Sequence, residues 1–249
     1  MVSTEHGCIF VHIPKCAGTS VEKDLGHFDL YSGPNRQDHR PVSLLQPLEI
    51  GDVRRPRRAA WALTRQLKRK VERPENPRNK VFPSRQQWNE YYKFTIVRSP
   101  WGRLRSMYRN FLRGPDHPGL NGAPPPDDFN QFVAEWAGRD LMAPMDYWLV
   151  DRAGRVPFDR IIEFESLASE WPVVARTLGL SRPRLSHLNE GGGALPQDYR
   201  FSEASISLVR RVYAWEFANF GYSQDPDTSP FDTGQMTGTA EGRSAGVAR

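Results

Sequence analysis

The chain has 249 residues, 38 % of them hydrophobic and 25 % charged, which fits one α/β domain with a sizeable core. No run of about eighteen apolar residues is present to span a membrane, and the first twenty residues lack the charged-then-apolar pattern of a signal peptide. The formal net charge is +5, yet Val53 to Lys80 alone holds eleven Lys/Arg against two Glu, a net of +9, so the remainder carries −4.

The first predicted element is a short buried strand over Cys8 to Ile13, ended by Pro14. Lys15, Cys16, Ala17 and Gly18 then form a tight connection, and Thr19 or Ser20 stands where a helix N-cap is expected, with Val21 and Leu25 on one face beyond it. A strand that feeds a helix through small residues aims backbone N–H groups and the positive end of a helix dipole at one point, which attracts phosphate. The common nucleotide loop, G-x-x-x-x-G-K-[ST], places its lysine after the glycines; here Lys15 precedes Gly18 and Thr19, so a magnesium-nucleotide site is not specified. An ordinary strand-to-helix turn with a solvated lysine is the plain alternative.

Next comes His39 in "RQDHRPVSLLQPL", then the basic stretch 53–80, in which Ala59 to Glu72 is predicted helical with Trp61, Leu63, Leu67 and Val71 toward one side. Three readings of that stretch stay open: a solvated helix, a contact for an anionic or lipid-linked acceptor or a membrane surface, and a nucleic-acid patch. "KFTIVRSPWGRLRSMYRNFL" repeats the strand-loop-helix pattern: strand Phe94 to Val97, Arg98 at its end, Ser99 as cap and Pro100 opening a helix with Trp101, Leu104, Tyr108, Phe111 and Leu112 facing the core. Arg98 sits where open α/β sheets bind ligands, and its fork suits phosphate. Ser106, about two turns on, could offer a hydroxyl to the same anion. Residues 113–128 form a Pro/Gly loop on the expected acceptor rim, Phe129 to Ala137 restarts a helix, and Asn189 to Arg200 is a flexible loop. Ser202 caps a long final helix with Ile206, Val209, Tyr213 and Phe217 inward, and the tail 225–249 is expected to be disordered.

"HIPKCAGTS" and "IVRSPWGRLRSMYRNF" together resemble the two cofactor motifs of the carbohydrate-type sulfotransferases, the group that includes heparan sulfate 2-O-sulfotransferase and many bacterial relatives. "FDRIIEFESLASEWPVVARTLGL", "LSHLN" and "VRRVYAWEFANFGY" are similar to later segments of that family in order and spacing, so the resemblance runs from Cys8 to Tyr222. It implies a P-loop-like three-layer α/β fold, a central parallel sheet flanked by helices, in a single domain over 1–224. It further implies sulfuryl transfer from 3′-phosphoadenosine 5′-phosphosulfate (PAPS) to a hydroxyl-bearing acceptor, with no metal and no nucleic-acid partner. Lys15, Cys16, Ala17, Gly18, Thr19 and Ser20 would surround the 5′-phosphosulfate, while Arg98 and Ser106 would hold the 3′-phosphate. Lys15 would also meet the departing bridging oxygen, where charge appears only as the S–O bond breaks.

An acceptor hydroxyl needs a base, and histidine is the side chain best poised near neutral pH. The chain has six histidines. Inside the first strand, His12 is expected to be a packed or hydrogen-bonded core residue; His6 belongs to the N-terminus and His117 to the Pro/Gly loop. His39 occupies the position where the family carries a Gly-His pair, with Asp38 in place of glycine and placed to orient or raise the pKa of the imidazole. His187 in "LSHLN" is the second candidate. Cys8 and Cys16 give no disulfide framework, and Cys16 fills the loop rather than acting as a nucleophile, since sulfuryl transfer needs no covalent enzyme intermediate. Eukaryotic relatives sit behind a Golgi anchor that this sequence lacks, so a cytoplasmic, bacterial enzyme is expected. A P-loop-like phosphotransferase and a non-catalytic anion-binding protein remain as alternatives.

Overall fold

The computed structural model describes residues 1–27, 36–48, 56–71, 76–113, 126, 128–182, 184–185 and 199–226, without the side chains of 56–59, 61, 62, 69, 70 and 113. The expected disordered tail beyond 226, most of the Pro/Gly loop 113–128, His117, His187 and nearly all of the loop 189–200 lie outside the described residues. The chain divides into two compact units, the first formed by Met1–Val97, Tyr147–Glu163 and Leu167–Asn189 and the second by Arg98–Asp146, Phe164–Ser166 and Glu190–Arg249. The described residues form a mixed α/β structure with one four-stranded, mostly parallel sheet and ten α-helices. Among them no helix is long and apolar enough to cross a membrane.

The first unit is built on the sheet, in strand order β1 (Val2–Ser3), β2 (Cys8–Val11), β3 (Tyr92–Val97), β4 (Arg160–Glu163). β2 pairs parallel with β3, placing Phe10 against Phe94, and β3 pairs parallel with β4, placing Ile96 against Ile162. The two-residue β1 adds an antiparallel edge that the expectation of an all-parallel sheet did not contain. β2 is buried at every position, as a parallel strand covered on both faces must be, which is why its sequence runs apolar without alternating. The Thr95 hydroxyl donates to the Val11 carbonyl at 2.8 Å, and the Phe94 ring lies between Phe10 at 4.9 Å and Trp171 at 6.4 Å between centroids. Strand β2 ends at Val11, two residues short of the expected Ile13.

Helices α1 (Gly18–Asp24), α2 (Val42–Leu45), α3 (Pro56–Val71) and α4 (Arg85–Glu90) belong to this unit, as does α8 (Leu167–Thr177); α7 (Met145–Leu149) lies at the boundary. Ser84 closes a capping box with Gln87 at the start of α4. Arg152 ties α2 down: its guanidinium donates to the carbonyls of Ser43, Gln46 and Pro47, and its amide donates to the Gln46 side chain at 2.9 Å.

The second unit packs α5 (Pro100–Arg113), α6 (Phe129–Trp136), α9 (Glu203–Val212) and α10 (Ala214–Phe220) around Trp101, Leu104, Tyr108, Phe111, Phe132 and Tyr213. Ser99 caps α5, its hydroxyl accepting from the Gly102 amide at 3.4 Å, and Ser202 caps α9. Two expectations are corrected. Leu112 is 46 % exposed, since it is turned about 100° from Phe111 and falls off the buried stripe. The long final helix is two helices that meet at Tyr213, whose hydroxyl donates to the Met142 carbonyl at 2.8 Å and accepts from the Gly138 amide at 3.0 Å.

Candidate functional site

The loop from Pro14 to Gly18 leaves the carboxyl end of β2. Lys15 (φ 68°) and Ala17 (φ 61°) are left-handed while Cys16 between them and Gly18 after them are not. Such alternation of backbone hand curls successive N–H groups to one concave side, the geometry that cradles anions. The N-cap of α1 is Ala17, with no side-chain cap, rather than Thr19 or Ser20; the Ser20 amide donates to the Ala17 carbonyl at 3.1 Å. Cys16 is buried and its thiol lies 3.6 Å from the Pro14 carbonyl, which suits a loop-filling role.

Gly18 is required by what lies beside it. A Cβ there would stand 1.9 Å from His12 Cδ2 and 2.3 Å from Nε2, inside the imidazole itself. His12 Nδ1 in turn meets the Glu22 carboxylate at 3.2 Å, with both side chains buried. Burial, then the nearby Met1 α-amino charge, lowers the His12 pKa to about 3; burial also pushes the Glu22 carboxyl up. The sequence offered one unread signal for this pair. Gly18, Val21, Glu22 and Leu25 fall at i, i+3, i+4 and i+7, so Glu22 occupies a core-face position where a carboxylate needs a partner.

His39 belongs to the same unit and packs on His12, with ring centroids 4.2 Å apart. Its Nδ1 lies 3.2 Å from the His12 carbonyl oxygen and its Nε2 lies 3.2 Å from the Gln37 Oε1, while the Gln37 Nε2 meets the Thr19 hydroxyl at 2.5 Å. Both ring nitrogens thus face oxygen, yet a neutral imidazole has one hydrogen to give. Burial and the adjacent His12 lower the His39 pKa to about 3, so a doubly protonated ring is not the resolution. Turning the Gln37 amide end for end satisfies every atom: Thr19 O–H donates to Gln37, the Gln37 amide donates to His39 Nε2, and His39 Nδ1–H donates to the His12 carbonyl. In that arrangement Nε2 carries the lone pair, and Gln37 links it to the loop.

Asp38 makes no hydrogen bond to His39; its charge favours the imidazolium as expected, but burial and the adjacent His12 outweigh it. Asp38 accepts a bidentate contact from Arg40 at 2.7 and 2.5 Å and lies 3.3 Å from the Met1 α-amino group, and its amide donates to Glu22 at 3.0 Å. Burial alone would push the Asp38 carboxyl up, but Arg40 and the Met1 charge override it and hold it well below the usual carboxylate range. Its role is to lock the segment that carries His39, and His39 itself is shifted down, not up. Asn76 and Asn79, at the end of the basic stretch, complete the support. His27 Nε2 lies 2.8 Å from Asn79 Oδ1, and Asn76 donates to the His27 and Arg36 carbonyls, each at 3.0 Å. The charge pattern of the stretch does not reveal this, because these two asparagines are uncharged.

In the second unit Arg98 follows β3 directly, with its guanidinium 4.0 Å from the Phe164 ring centroid. Gly102 leaves room for it, since a Cβ there would come within 2.9 Å of Arg98 Nε. The neighbouring Ser99 amide donates to Glu165 at 3.1 Å, and burial pushes the Glu165 carboxyl up. Ser106 is half-buried on α5, next to Arg105, whose guanidinium lies 4.9 Å over Phe201. The loop Lys15–Ser20 and His39 thus lie in the first unit, linked there through Thr19 and Gln37, while Arg98 and Ser106 lie in the second. A family model described as the sulfotransferase family matches residues 1–223. Searches of curated proteins and of solved structures returned no match.

Proposed function

Because the chain belongs to the sulfotransferase family, we propose that it moves the sulfuryl group of PAPS to a hydroxyl of a glycan, lipid-linked or small-molecule acceptor, as a relative of the heparan sulfate 2-O type. The observation that carries this reading beyond family membership is the Lys15–Gly18 loop, whose alternating backbone hand and His12 floor fit an anion and leave no room for a larger residue at Gly18. Backbone groups of Cys16, Ala17, Gly18 and Thr19, with the Ser20 hydroxyl, hold the 5′-phosphosulfate. Lys15 compensates the charge on the bridging oxygen as its bond to sulfur breaks. Arg98 and Ser106 hold the 3′-phosphate. The acceptor oxygen bonds to sulfur and its proton passes to His39 Nε2, which is neutral at physiological pH and which the acceptor reaches by displacing the Gln37 amide. The products are a sulfate ester and adenosine 3′,5′-bisphosphate.

Calorimetry with adenosine 3′,5′-bisphosphate and AMP tests the nucleotide assignment. The bisphosphate should bind far more tightly, and Arg98→Ala should remove a charge-assisted contact of about 1.5–3 kcal/mol, roughly ten- to over a hundredfold in affinity. Equal affinities for the two nucleotides would refute the reading. Mass spectrometry of an acceptor panel incubated with PAPS identifies the hydroxyl that gains the sulfuryl group.

A further inference from the structure

Helix α3 carries a feature the proposed reaction does not use. Leu63, Leu67 and Val71 are 44 %, 53 % and 84 % exposed, half of the six large hydrophobic side chains exposed among the described residues. At 100° per residue they span an arc of about 80° and form a stripe two turns long. The helix is held from another side: Gln66 donates to the carbonyls of Leu44 and Gln46 at 2.9 and 3.3 Å, roughly 100° round the axis from the centre of the stripe. No acidic residue occurs in α3, whereas Arg57, Arg58, Arg65, Lys68, Arg69 and Lys70 do, and Arg65 and Lys68 are exposed. The stretch 53–80 around it carries +9, more than the whole net charge of +5, and the remainder of the chain carries −4.

We propose that α3 is an interfacial helix that docks the enzyme on a bilayer containing anionic lipid, with Leu63, Leu67 and Val71 entering the acyl boundary and the surrounding cations meeting lipid phosphates. The choice of occupant rests on charge complementarity. An exposed apolar stripe alone suits many partners, but a stripe on a helix with only cationic charge suits a surface that is apolar beneath and anionic above. With 16 residues and a strongly cationic composition, α3 is neither long nor apolar enough to cross a membrane, so contact along its apolar stripe is the mode of membrane binding its chemistry allows. A duplex nucleic acid would satisfy the cations and leave the leucines in water.

Vesicle flotation of the full chain tests the docking without donor nucleotide or acceptor, so its outcome is independent of the proposed reaction. Vesicles of phosphatidylcholine with phosphatidylglycerol should carry the protein, and vesicles of phosphatidylcholine alone should not. Rising salt should release it. Leu67→Glu with Val71→Glu should lower binding about tenfold or more by removing the inserted surface, and Arg65→Glu with Lys68→Glu should lower it as well. Circular dichroism checks that these variants fold; should the leucine variant fail, Val71→Ser, at the most exposed position, replaces it. Any of three results overturns the proposal: equal binding to both vesicles, binding unchanged by loss of the stripe, or a DNA duplex bound tightly with no vesicle binding. A concentration-dependent dimer that Leu67→Glu dissolves would also overturn it, assigning the stripe to a second copy of the chain.

Discussion

At Lys15 the backbone and the side chain do separate things. A left-handed residue with a Cβ costs about 1–2 kcal/mol, and glycine in its place would add about 0.5–1 kcal/mol of unfolded-chain entropy, so the net relief is between about 0 and 1.5 kcal/mol. Lys15→Gly should accordingly keep or slightly raise the melting temperature while lowering kcat about a hundredfold or more through loss of the ammonium. Lys15→Ala should lose the same activity with no gain in stability. If both variants keep kcat, the charge on the leaving oxygen is met elsewhere. Gln37 allows a second test at this scale. His39 is neutral well below pH 6, so the pH–rate profile of the parent should lack an acid limb near the ordinary imidazole value of about 6.5. Gln37→Glu places a carboxylate against Nε2, favours the imidazolium and raises the His39 pKa. An acid limb should then move up toward neutrality in kcat/KM, and a profile identical to the parent's would remove His39 as the base.

Among the elements, the junction of β2 and α1 depends on one pair. Gly18→Ala drives a methyl into the His12 ring, and overpacking of this kind costs about 1–3 kcal/mol. Thermal melts should show that loss, together with weakened bisphosphate binding. Adding His12→Ala should recover part of the stability, because the ring that collided is gone, and a double variant no better than the sum of the singles would show that the clash is not the cause. Much of this junction was legible in the sequence: the strand, the proline, the glycine and the helix follow from periodicity and breakers. What was not legible is why the glycine is needed. His12 reads from the sequence as a packed core residue, and only the fold brings its ring against Gly18. The same holds for Tyr213, whose apolar spacing continues an unbroken helix while two helices meet at it and its hydroxyl bonds Met142 and Gly138. Side-chain spacing reports which face is buried, and it is silent on where such polar contacts fall.

On the scale of the whole molecule, the buried titratable cluster sets the response to acid. Burial lowers the pKa of His12, His27 and His39, so these histidines contribute stability that is complete above the unfolded value of about 6.5 and is lost as pH falls toward their folded values, about 3 for His12 and His39. Glu22 has the opposite sign: raised by burial, it contributes stability below its unfolded value that is lost as pH rises through the folded one. Glu165 and Glu216, also pushed up by burial, Glu216 to about 7, share the sign of Glu22. Three histidines and three carboxylates thus oppose one another between pH 6.5 and 5, and the histidine share is read where two of the carboxylates are removed. In a Glu165→Gln, Glu216→Gln variant the melting temperature should drop over that interval, and a flat profile in that variant would contradict the burial of these rings.

The strand order also imposes a timetable on synthesis. The Thr95 hydroxyl that bonds Val11 lies 84 residues further along the chain, and the Asp159 that accepts from Lys93 lies another 66 on. At about 5–20 residues per second on the ribosome, β2 waits roughly 4–17 s for its parallel neighbour and β3 a further 3–13 s. During that wait the β2 edge is an apolar ribbon that could pair with any extended chain. Two-residue β1 covers the opposite edge of β2 from early on, since the turn between Ser3 and Cys8 brings it back at once. An edge strand too short to matter for the finished sheet thus leaves the nascent β2 with one open side, the side that β3 later fills.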